Sequence, residues 1–438
     1  MSDLPSVRIL RGRLVSFLDD PRLAGAGALK IIEDGAVRIE NGRISAVGEA
    51  AAILARAKGA AVDDYTGKLI LPGFIDTHIH YPQTRVIASY GAQLLEWLQK
   101  YTFVEEQKLR ERGHADIVAS FFLDEMFRQG TTTAMVYCTV HPESVDAFFE
   151  ESLKRGARMI AGKVMMDRNA PAGLTDDAQR GYDESKALIA RWRGRGRLDY
   201  AVTPRFAVTS SEAQLEAAGA LLRENPEAYM QTHLDENLAE IAFVKQQFPW
   251  SKTYLGVYER YGLLGPRSVF GHCIHLEESE VAALSASRSV AAFCPTSNLF
   301  LGSGLFDMKR LQDRDVRVSL ATDVGGGTSY SMLQTANEAY KVLQMGGQSW
   351  PAVQAFYQMT LGNARALGLQ DRIGALAPGL EADLIVLDSS ATPAMAHRME
   401  SVEGDLAEEL FVLMMMGDDR AVAQTYVAGR AVKAGGGG

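Results

Sequence analysis

Long apolar runs are missing from this sequence of 438 residues. The longest candidate, residues 410–416, falls far short of the roughly 18 apolar residues that a membrane-spanning helix needs. The N-terminus also lacks the basic segment followed by an apolar one that marks a secretory signal. The sequence therefore predicts neither a membrane-spanning nor a secreted protein.

Positive charge is also in short supply. The chain has 45 Lys and Arg against 54 Asp and Glu, which gives a formal net charge of −9. Nucleic acid and anionic membrane both bind to basic faces, so this balance argues against either as the main partner.

Cysteine is scarce as well. Cys138, Cys273 and Cys294 are an odd number without metal-type spacing, and each lies in an apolar, strand-like run. We expect buried free thiols, which fits a reducing cytoplasm. No internal repeat is found. The hydrophobic fraction of 47% is nevertheless ample for a large core.

Apolar segments alternate with amphipathic helical segments through the middle of the chain. The eight strand candidates are residues 74–80, 131–136, 159–165, 200–203, 229–233, 269–272, 290–293 and 316–322. Eight strands separated by helices over about 300 residues predict an α/β fold, a (β/α)8 TIM-like barrel. Active sites of this fold lie at the C-terminal ends of the strands.

Both ends of the chain have β character instead. Strand candidates lie at residues 7–10, 14–17, 36–40, 43–47 and 382–388, with hairpin turns at 40–43 and 428–429. The simplest arrangement pairs the two ends into one small domain. We therefore expect a catalytic barrel at residues 72–370 and a β-sandwich domain formed by residues 1–71 and 371–438.

The first candidate metal ligands lie on the first barrel strand, which ends with His78 and His80. Residues two apart in a strand point to the same face, so both imidazoles aim at one point. His233 ends the fifth candidate strand and Asp323 the eighth. Three imidazoles and a carboxylate at one rim suit a zinc or iron(II) ion, with one position left for water.

Two further residues near these strand ends are candidates for proton transfer. Glu236, three residues after His233, is placed to accept a proton from a metal-activated water and pass it on. Alternatively it is an acid that only favours a helix dipole. His272 ends the sixth strand, where it can hydrogen-bond the same water or the oxyanion that forms from it. His275 is expected to support this site or to be structural.

This set of residues resembles the amidohydrolase superfamily over nearly the whole chain. Binuclear members carry a metal-bridging lysine on the fourth strand, whereas this chain has Arg205 there and places Lys163 on the third. The resemblance therefore implies the mononuclear deaminase branch. It assigns one divalent ion to each subunit, most simply Zn²⁺ with Fe²⁺ as the alternative, held by His78, His80, His233 and Asp323.

Local sequence is similar to the guanine deaminases within that branch. The matching stretches are residues 78–83, 94–98, 203–206 and 294–304, which read HIHYPQ, LLEWL, TPRF and CPTSNLFLGSG. The resemblance implies a cytoplasmic homodimer that deaminates guanine, with Glu236, His272 and Asp323 as catalytic residues. Two features depart from the expected pattern: Asp235 beside Glu236, and three glycines at 325–327 directly after Asp323.

The residue types support a purine pocket independently. Arg205 offers a planar donor fork that suits O6 and N7 of guanine, and Gln83 can both donate to and accept from a purine edge. Phe206 either stacks on the base or packs in the core, and Trp97 either closes the pocket or belongs to the core. Together with Glu236, these residues are the predicted substrate-binding set.

Three alternatives stay open at this point. Another mononuclear aminohydrolase, acting on a different aminopurine, a pterin or a triazine, shares the metal set and differs only around Gln83 and Arg205. A metal-dependent amide hydrolase of the same fold is the second. The third is a catalytically silent barrel that serves in assembly, which the four filled ligand positions disfavour.

Overall fold

The computed structural model describes residues 7–56, 59–91, 93–402 and 404–433. Within these ranges the strands are β1 (Val7–Phe17), β2 (Leu29–Glu40), β3 (Arg43–Glu49), β4 (Ala61–Pro72), β5 (Phe74–His80), β6 (Thr131–Tyr137), β7 (Arg158–Gly162), β8 (Val164–Met165), β9 (Asp199–Pro204), β10 (Tyr229–Leu234), β11 (Ser268–His272), β12 (Val290–Phe293), β13 (Arg317–Leu320), β14 (Leu384–Leu387), β15 (Val422–Val427) and β16 (Arg430–Ala431).

The α-helices of the same ranges are α1 (Pro21–Ala24), α2 (Ala50–Ala55), α3 (Leu94–Trp97), α4 (Phe103–Glu106), α5 (Arg112–Arg128), α6 (Pro142–Arg155), α7 (Ala178–Trp192), α8 (Glu212–Glu224), α9 (Leu238–Gln247), α10 (Tyr254–Arg260), α11 (Glu278–Ser287), α12 (Pro295–Phe300), α13 (Met308–Gln312), α14 (Met332–Met345), α15 (Ala352–Tyr357), α16 (Asn363–Ala366), α17 (Pro393–Met399) and α18 (Leu406–Met416). Short 3₁₀ turns lie at Gly25–Ala28, Tyr81–Gln83, Gln107–Arg110, Ala172–Leu174 and Ala207–Thr209, and π turns at Leu98–Thr102 and Gln358–Gly362.

The predicted barrel is confirmed. Its strands follow the order β5-β6-β7-β9-β10-β11-β12-β13, with parallel neighbours throughout. Backbone hydrogen bonds then join the last strand to the first: Asp323 N donates to His78 O at 2.9 Å and His80 N donates to Val324 O at 2.8 Å. This closure brings the first and last predicted metal ligands side by side.

The third barrel strand differs from its prediction. It is broken into β7 and β8 at Lys163, whose backbone N–H donates to the Tyr200 hydroxyl at 3.2 Å and leaves the strand ladder. The Lys163 side chain is buried and forms an ion pair with Asp176. It therefore points away from the site, as expected for a lysine that does not bridge metals.

The two ends of the chain form one seven-stranded sheet in the order β16-β15-β14-β4-β1-β2-β3. The candidates at residues 7–10 and 14–17 are one strand, β1, with an irregularity between Gly12 and Leu14. Both predicted hairpins occur; Asn41 and Gly42 have φ values of 51° and 76°, as two-residue hairpin turns require. The small β domain built from both termini is thus confirmed.

One face of this sheet encloses its own small core, which includes Leu10, Ile39 and Ile70. The opposite face, with Phe17 and Leu71, joins the core of the barrel. The three cysteines are buried and free, as predicted. No helix in the described ranges is long and apolar enough to cross a lipid bilayer.

Candidate metal and substrate site

The predicted metal ligands converge at the C-terminal rim of the barrel. Asp323 Oδ1 lies 3.3 Å from His78 Nε2 and 3.1 Å from His80 Nε2, and His80 Nε2 lies 3.3 Å from His233 Nε2. His272 joins this cluster: His78, His233, His272 and Asp323 offer ligand atoms within 4.8 Å of one another. Five side chains thus surround a single point.

This donor set fits a divalent ion. Both ring nitrogens of His78, Nδ1 of His80 and Nε2 of His272 are buried and have no hydrogen-bond partner in the described residues. Buried polar atoms are normally satisfied, so such a cluster indicates a missing ligand. The Nδ1 atom of His233 donates to the Arg205 carbonyl at 2.7 Å, which leaves the Nε2 lone pair facing the site.

The electrostatics of the site also favour metal binding. Burial lowers the pKa of His80 to about 3 and that of His233 well below its usual range, so both rings are neutral, the form that binds metal. Burial opposes the ionisation of Asp323, but the neighbouring imidazoles of His78 and His80 prevail and hold the pKa of this carboxyl well below its ordinary value. Neutral imidazoles and an ionised carboxylate are therefore present together.

Glu236 faces this cluster from the start of α9. The helix begins with a capping box in which Asn237 Oδ1 accepts from Ala239 N at 2.9 Å and Glu240 accepts from Asn237 N at 3.2 Å. Glu240 also accepts the Glu236 backbone N–H, at 3.1 Å. The Glu236 side chain is thus free to turn inward, where burial and the charge of Asp323 raise its pKa to about 8.

The segment at residues 294–304 supports His272, the last residue of β11, and His275, which follows that strand. Nδ1 of His272 lies 2.9 Å from Asn298 Oδ1, while Nε2 of His272 lies 3.4 Å from Glu236 Oε2. His275 donates to the Ser303 carbonyl at 2.8 Å, and the Ser303 hydroxyl donates to Glu236 Oε1 at 3.3 Å. His275 therefore acts on the site indirectly, through Ser303.

Three strand ends turn through left-handed backbone as they enter the site. The φ values are 49° at Asp235, 73° at His272 and 51° at Asp323. This conformation is disfavoured for residues with a side chain, and it concentrates at functional sites. Two of these turns are at His272 and Asp323, whose own side chains face the cavity, and the third is at Asp235, next to Glu236.

Glycines make the close packing of this site feasible. A Cβ on Gly271 would lie 2.5 Å from Cε1 of His78, and one on Gly326 would lie 2.7 Å from the Ser297 hydroxyl. A Cβ on Gly325 would lie 2.7 Å from the Gln83 carbonyl oxygen. The glycine-rich loop, which departs from the expected pattern, is therefore required by the space that its neighbours leave.

A cavity opens in front of the histidine cluster. The structure places the whole predicted substrate-binding set in its wall: Gln83, Trp97, Arg205, Phe206 and Glu236. Leucine side chains complete the wall on the side of α3. A mostly apolar cavity with a few convergent polar groups is typical of a small-molecule site.

The aromatic residues of this set are buried as well as pocket-lining. Phe206 is 4% exposed, and its ring centroid lies 6.2 Å from that of His233. Trp97 is 3% exposed and donates its indole N–H to the Ser89 carbonyl at 3.2 Å. Phe206 and Trp97 therefore each do both: they pack in the core and they line the cavity.

One residue of the site was not predicted from the sequence. Glu106, at the end of α4, is fully buried behind the cavity wall. Its carboxylate accepts from Nη1 of Arg205 at 2.7 and 3.0 Å and from Nε2 of Gln83 at 3.0 Å. No motif marks Glu106 among the 54 acidic residues, because its partners lie 23 and 99 positions away along the chain.

Known proteins with related sequences and structures agree with this geometry. A guanine deaminase of Escherichia coli (strain K12) is 49% identical over 440 residues, which cover 99% of both chains. The solved structure of an E. coli guanine deaminase superposes with a TM-score of 0.94 at 49% identity, covering 97% of this chain and 99% of that one.

A more distant structure keeps the same architecture. The guanine deaminase of C. acetobutylicum, solved with guanine bound in its active site, has a TM-score of 0.87 at 26% identity and covers 97% of this chain and 99% of that one. The Amidohydrolase family matches residues 69–432, which include the barrel strands and the candidate site. The chain therefore belongs to the amidohydrolase family.

Proposed function

We propose that this chain is a guanine deaminase, which converts guanine and water into xanthine and ammonia in purine breakdown. The observation that carries the proposal is one cavity whose wall combines a metal-type donor cluster, a buried acid and a buried Arg–Gln pair. The full-length similarity to guanine deaminases supports the same reaction.

The ion in this proposal is one Zn²⁺ per subunit, with Fe²⁺ as the alternative, because both accept imidazole and carboxylate ligands. His78, His80, His233 and Asp323 would hold it. When bound, the ion activates water for attack at neutral pH. His272 lies within the same cluster, but its Nε2 is 3.8 Å from Asp323 Oδ2 and faces Glu236, so we assign it to the reacting water instead.

Glu236 is the proposed proton carrier. It takes a proton from the attacking water and delivers it to N3 of guanine, which makes C2 more electrophilic. The raised pKa of the buried Glu236 fits a group that must both accept and release a proton. Ser303 holds the Glu236 carboxylate, and Glu240 holds the Glu236 backbone N–H.

The remaining proton steps fall to the other two catalytic residues. Attack of the water oxygen at C2 gives a tetrahedral carbon that still carries the amine. Asp323 accepts the second proton of the attacking water and passes it to the C2 amine. The C2–N bond then breaks as the C2 carbonyl forms, and ammonia leaves with xanthine as the other product. His272 stays within hydrogen-bonding reach of the new oxygen throughout.

Recognition of guanine is assigned to the opposite wall. The Arg205 guanidinium faces the O6 and N7 acceptors, and Gln83 binds a neighbouring edge of the purine. Phe206 and Trp97 supply apolar surface to the faces of the base. Adenine carries a donor at position 6, so the fixed donors of Arg205 would reject it.

The domain boundaries, the oligomeric state and the cellular compartment are also part of the proposal. The catalytic barrel spans residues 72–370, and the β domain consists of residues 1–71 and 371–438. The sequence resemblance favours a homodimer in the cytoplasm. Light scattering on the purified protein would then give twice the 47.7 kDa mass of one chain.

The test is turnover of a small substrate panel by zinc-loaded protein, followed by ammonia release and the change in ultraviolet absorbance. The panel is guanine, adenine, cytosine, 8-oxoguanine and a pterin. We expect xanthine from guanine, well ahead of the others. An inert guanine with another amine hydrolysed would overturn the specificity but keep the metal site. No turnover of any compound by metal-bound protein would point to amide substrates. No turnover by a protein that does not bind metal would point to a noncatalytic barrel.

A further inference from the structure

We propose that Glu106 is the positioning residue that sets the orientation of Arg205 and Gln83 and so makes the pocket selective for an oxygen at position 6 of the purine. This inference rests on the proposed function and deepens it. Glu106 itself does not line the cavity. It acts through the two side chains that do.

The first contact fixes the plane of Arg205. Both Glu106 oxygens accept from the same guanidinium nitrogen, Nη1. The guanidinium carbon of Arg205 also lies 5.4 Å from the ring centroid of Phe103, three residues before Glu106 on the same helix. In the described residues, Nη1 is the only Arg205 side-chain nitrogen with a hydrogen-bond partner. Nη2 and Nε therefore stay free to meet a ligand.

The second contact fixes the amide of Gln83. A carboxylate without a proton only accepts, so the Gln83 –NH₂ group must face Glu106, at 3.0 Å. The amide oxygen then faces the other way and accepts the Gly325 backbone N–H, also at 3.0 Å. Gln83 is thus held at both ends, and its remaining donor and acceptor have set directions.

The third argument is charge. Arg205 and Glu106 are 3% and 0% exposed, so neither has bulk water to balance it. The Glu106 carboxylate compensates the guanidinium from behind, while the cavity side of Arg205 stays available. A buried charge without its partner is strongly disfavoured, so the pair holds one arrangement.

These contacts have a consequence for selectivity. A purine with an acceptor at position 6 gains a charge-assisted hydrogen bond from the fixed Arg205 donors, whereas a purine with hydrogen there keeps only the contact of Arg205 with N7. Loss of Glu106 should therefore penalise guanine clearly more than 2-aminopurine, which keeps the reacting C2 amine and N7 but lacks O6. A residue with only a structural role would affect both purines equally.

The experiment compares Glu106→Gln with the wild type on guanine and 2-aminopurine, the latter as a substrate or, if its turnover is slow, as a competitive inhibitor. We expect kcat/KM for guanine to fall by about 10- to 100-fold, mainly through KM, because a hydrogen bond to a charged group is lost. Binding of 2-aminopurine should fall clearly less than that of guanine, and the metal content should stay close to wild type.

The matched control is Glu105→Gln on the same helix. Glu105 pairs with Lys108 at 2.5 Å and makes no contact with Arg205 in the described residues, so its variant should keep the preference for guanine. Glu106→Asp, which retains the charge, should recover part of the guanine affinity. It also provides a test if Glu106→Gln does not fold.

Two results would overturn the role of Glu106. One is wild-type kinetics of Glu106→Gln on guanine, and the other is an equal loss on guanine and 2-aminopurine. Failure of the proposed function would look different, because the wild-type enzyme itself would then leave guanine unchanged.

Discussion

Gly271 offers the sharpest test that His78 binds the metal. It lies on β11, opposite the His78 ring, and a Cβ added there would stand 2.5 Å from Cε1, 2.8 Å from Nδ1 and 3.1 Å from Nε2. Ordinary contacts between carbon atoms are about 3.5 to 4.0 Å. Gly271→Ala must therefore displace the ring by about 1 Å.

The ring has little room to move. His78 is fully buried, and its centroid lies 4.8 Å from that of Tyr137 and 4.7 Å from that of His233. Metal–ligand distances tolerate only about 0.2 Å, so His78 should leave the coordination sphere. Loss of a supporting contact to a ligand already weakens metal binding by about 10- to 100-fold. We expect at least this loss, which equals about 1.4 to 2.8 kcal/mol.

The assay is a zinc titration against a competing chelator, combined with metal content by mass spectrometry. Thermal unfolding of the metal-free protein separates metal loss from misfolding, since overpacking alone typically costs about 1 to 3 kcal/mol. The control is Gly113→Ala on α5, where an added Cβ meets nothing within 4 Å. If Gly271→Ala bound zinc and deaminated guanine like the wild type, His78 would not be a ligand in this geometry.

Three further predictions concern the chemistry, the pocket and the ion. Glu236→Gln should bind zinc normally and lose about 10²- to 10⁴-fold in kcat, measured by ammonia release; a wild-type rate would exclude Glu236 as proton carrier. Arg205→Ala should weaken guanine binding and, because Glu106 is left buried without its partner, lower the free energy of unfolding by about 3 to 5 kcal/mol in denaturant titrations. Unchanged guanine affinity would remove Arg205 from the pocket. Chelation should abolish turnover, and stoichiometric Zn²⁺ should restore it; full activity of protein shown to be metal-free would refute a metal-dependent reaction.

The barrel and the location of its site could be read from the sequence for a simple reason. Buried parallel strands are rich in apolar residues, so a histidine or carboxylate at the end of each one stands out. His80, His233, His272 and Asp323 all follow such runs, and the fold places every strand end at one rim. The positions of these residues along the sequence were therefore enough to predict that their side chains lie close together.

The break between β7 and β8 could not be read in the same way. Residues 159–165 are apolar apart from Lys163, and the pattern gives no sign that this residue leaves the ladder. The break depends on the Tyr200 hydroxyl, 37 residues further along the chain, which accepts the Lys163 backbone N–H. Contacts of this kind exist only once the strands are assembled.

Glu106 was missed for a related reason. Its neighbours suggest an amphipathic helix with ordinary surface acids, and Glu105 next to it does pair with a lysine. What distinguishes Glu106 is full burial against two donors from distant parts of the chain. Sequence similarity identified Arg205 and Gln83, because the stretches that contain them match the guanine deaminases. It gave no reason to look for the acid that binds both side chains.

The glycine loop after Asp323 joins the two halves of the site. Asp323 belongs to the metal cluster, while two residues later the Gly325 N–H holds the amide of Gln83, and Gln83 in turn shares Glu106 with Arg205. Because side chains larger than hydrogen would collide with Gln83 and Ser297, the loop can take this path only as glycine. The same backbone segment therefore connects the Asp323 carboxylate to the Gln83–Arg205 pair in the wall of one cavity. The glycines that depart from the expected sequence pattern thus let this loop approach Gln83 and Ser297 closely, beside the cavity that the histidine cluster and the Arg205–Gln83 pair share.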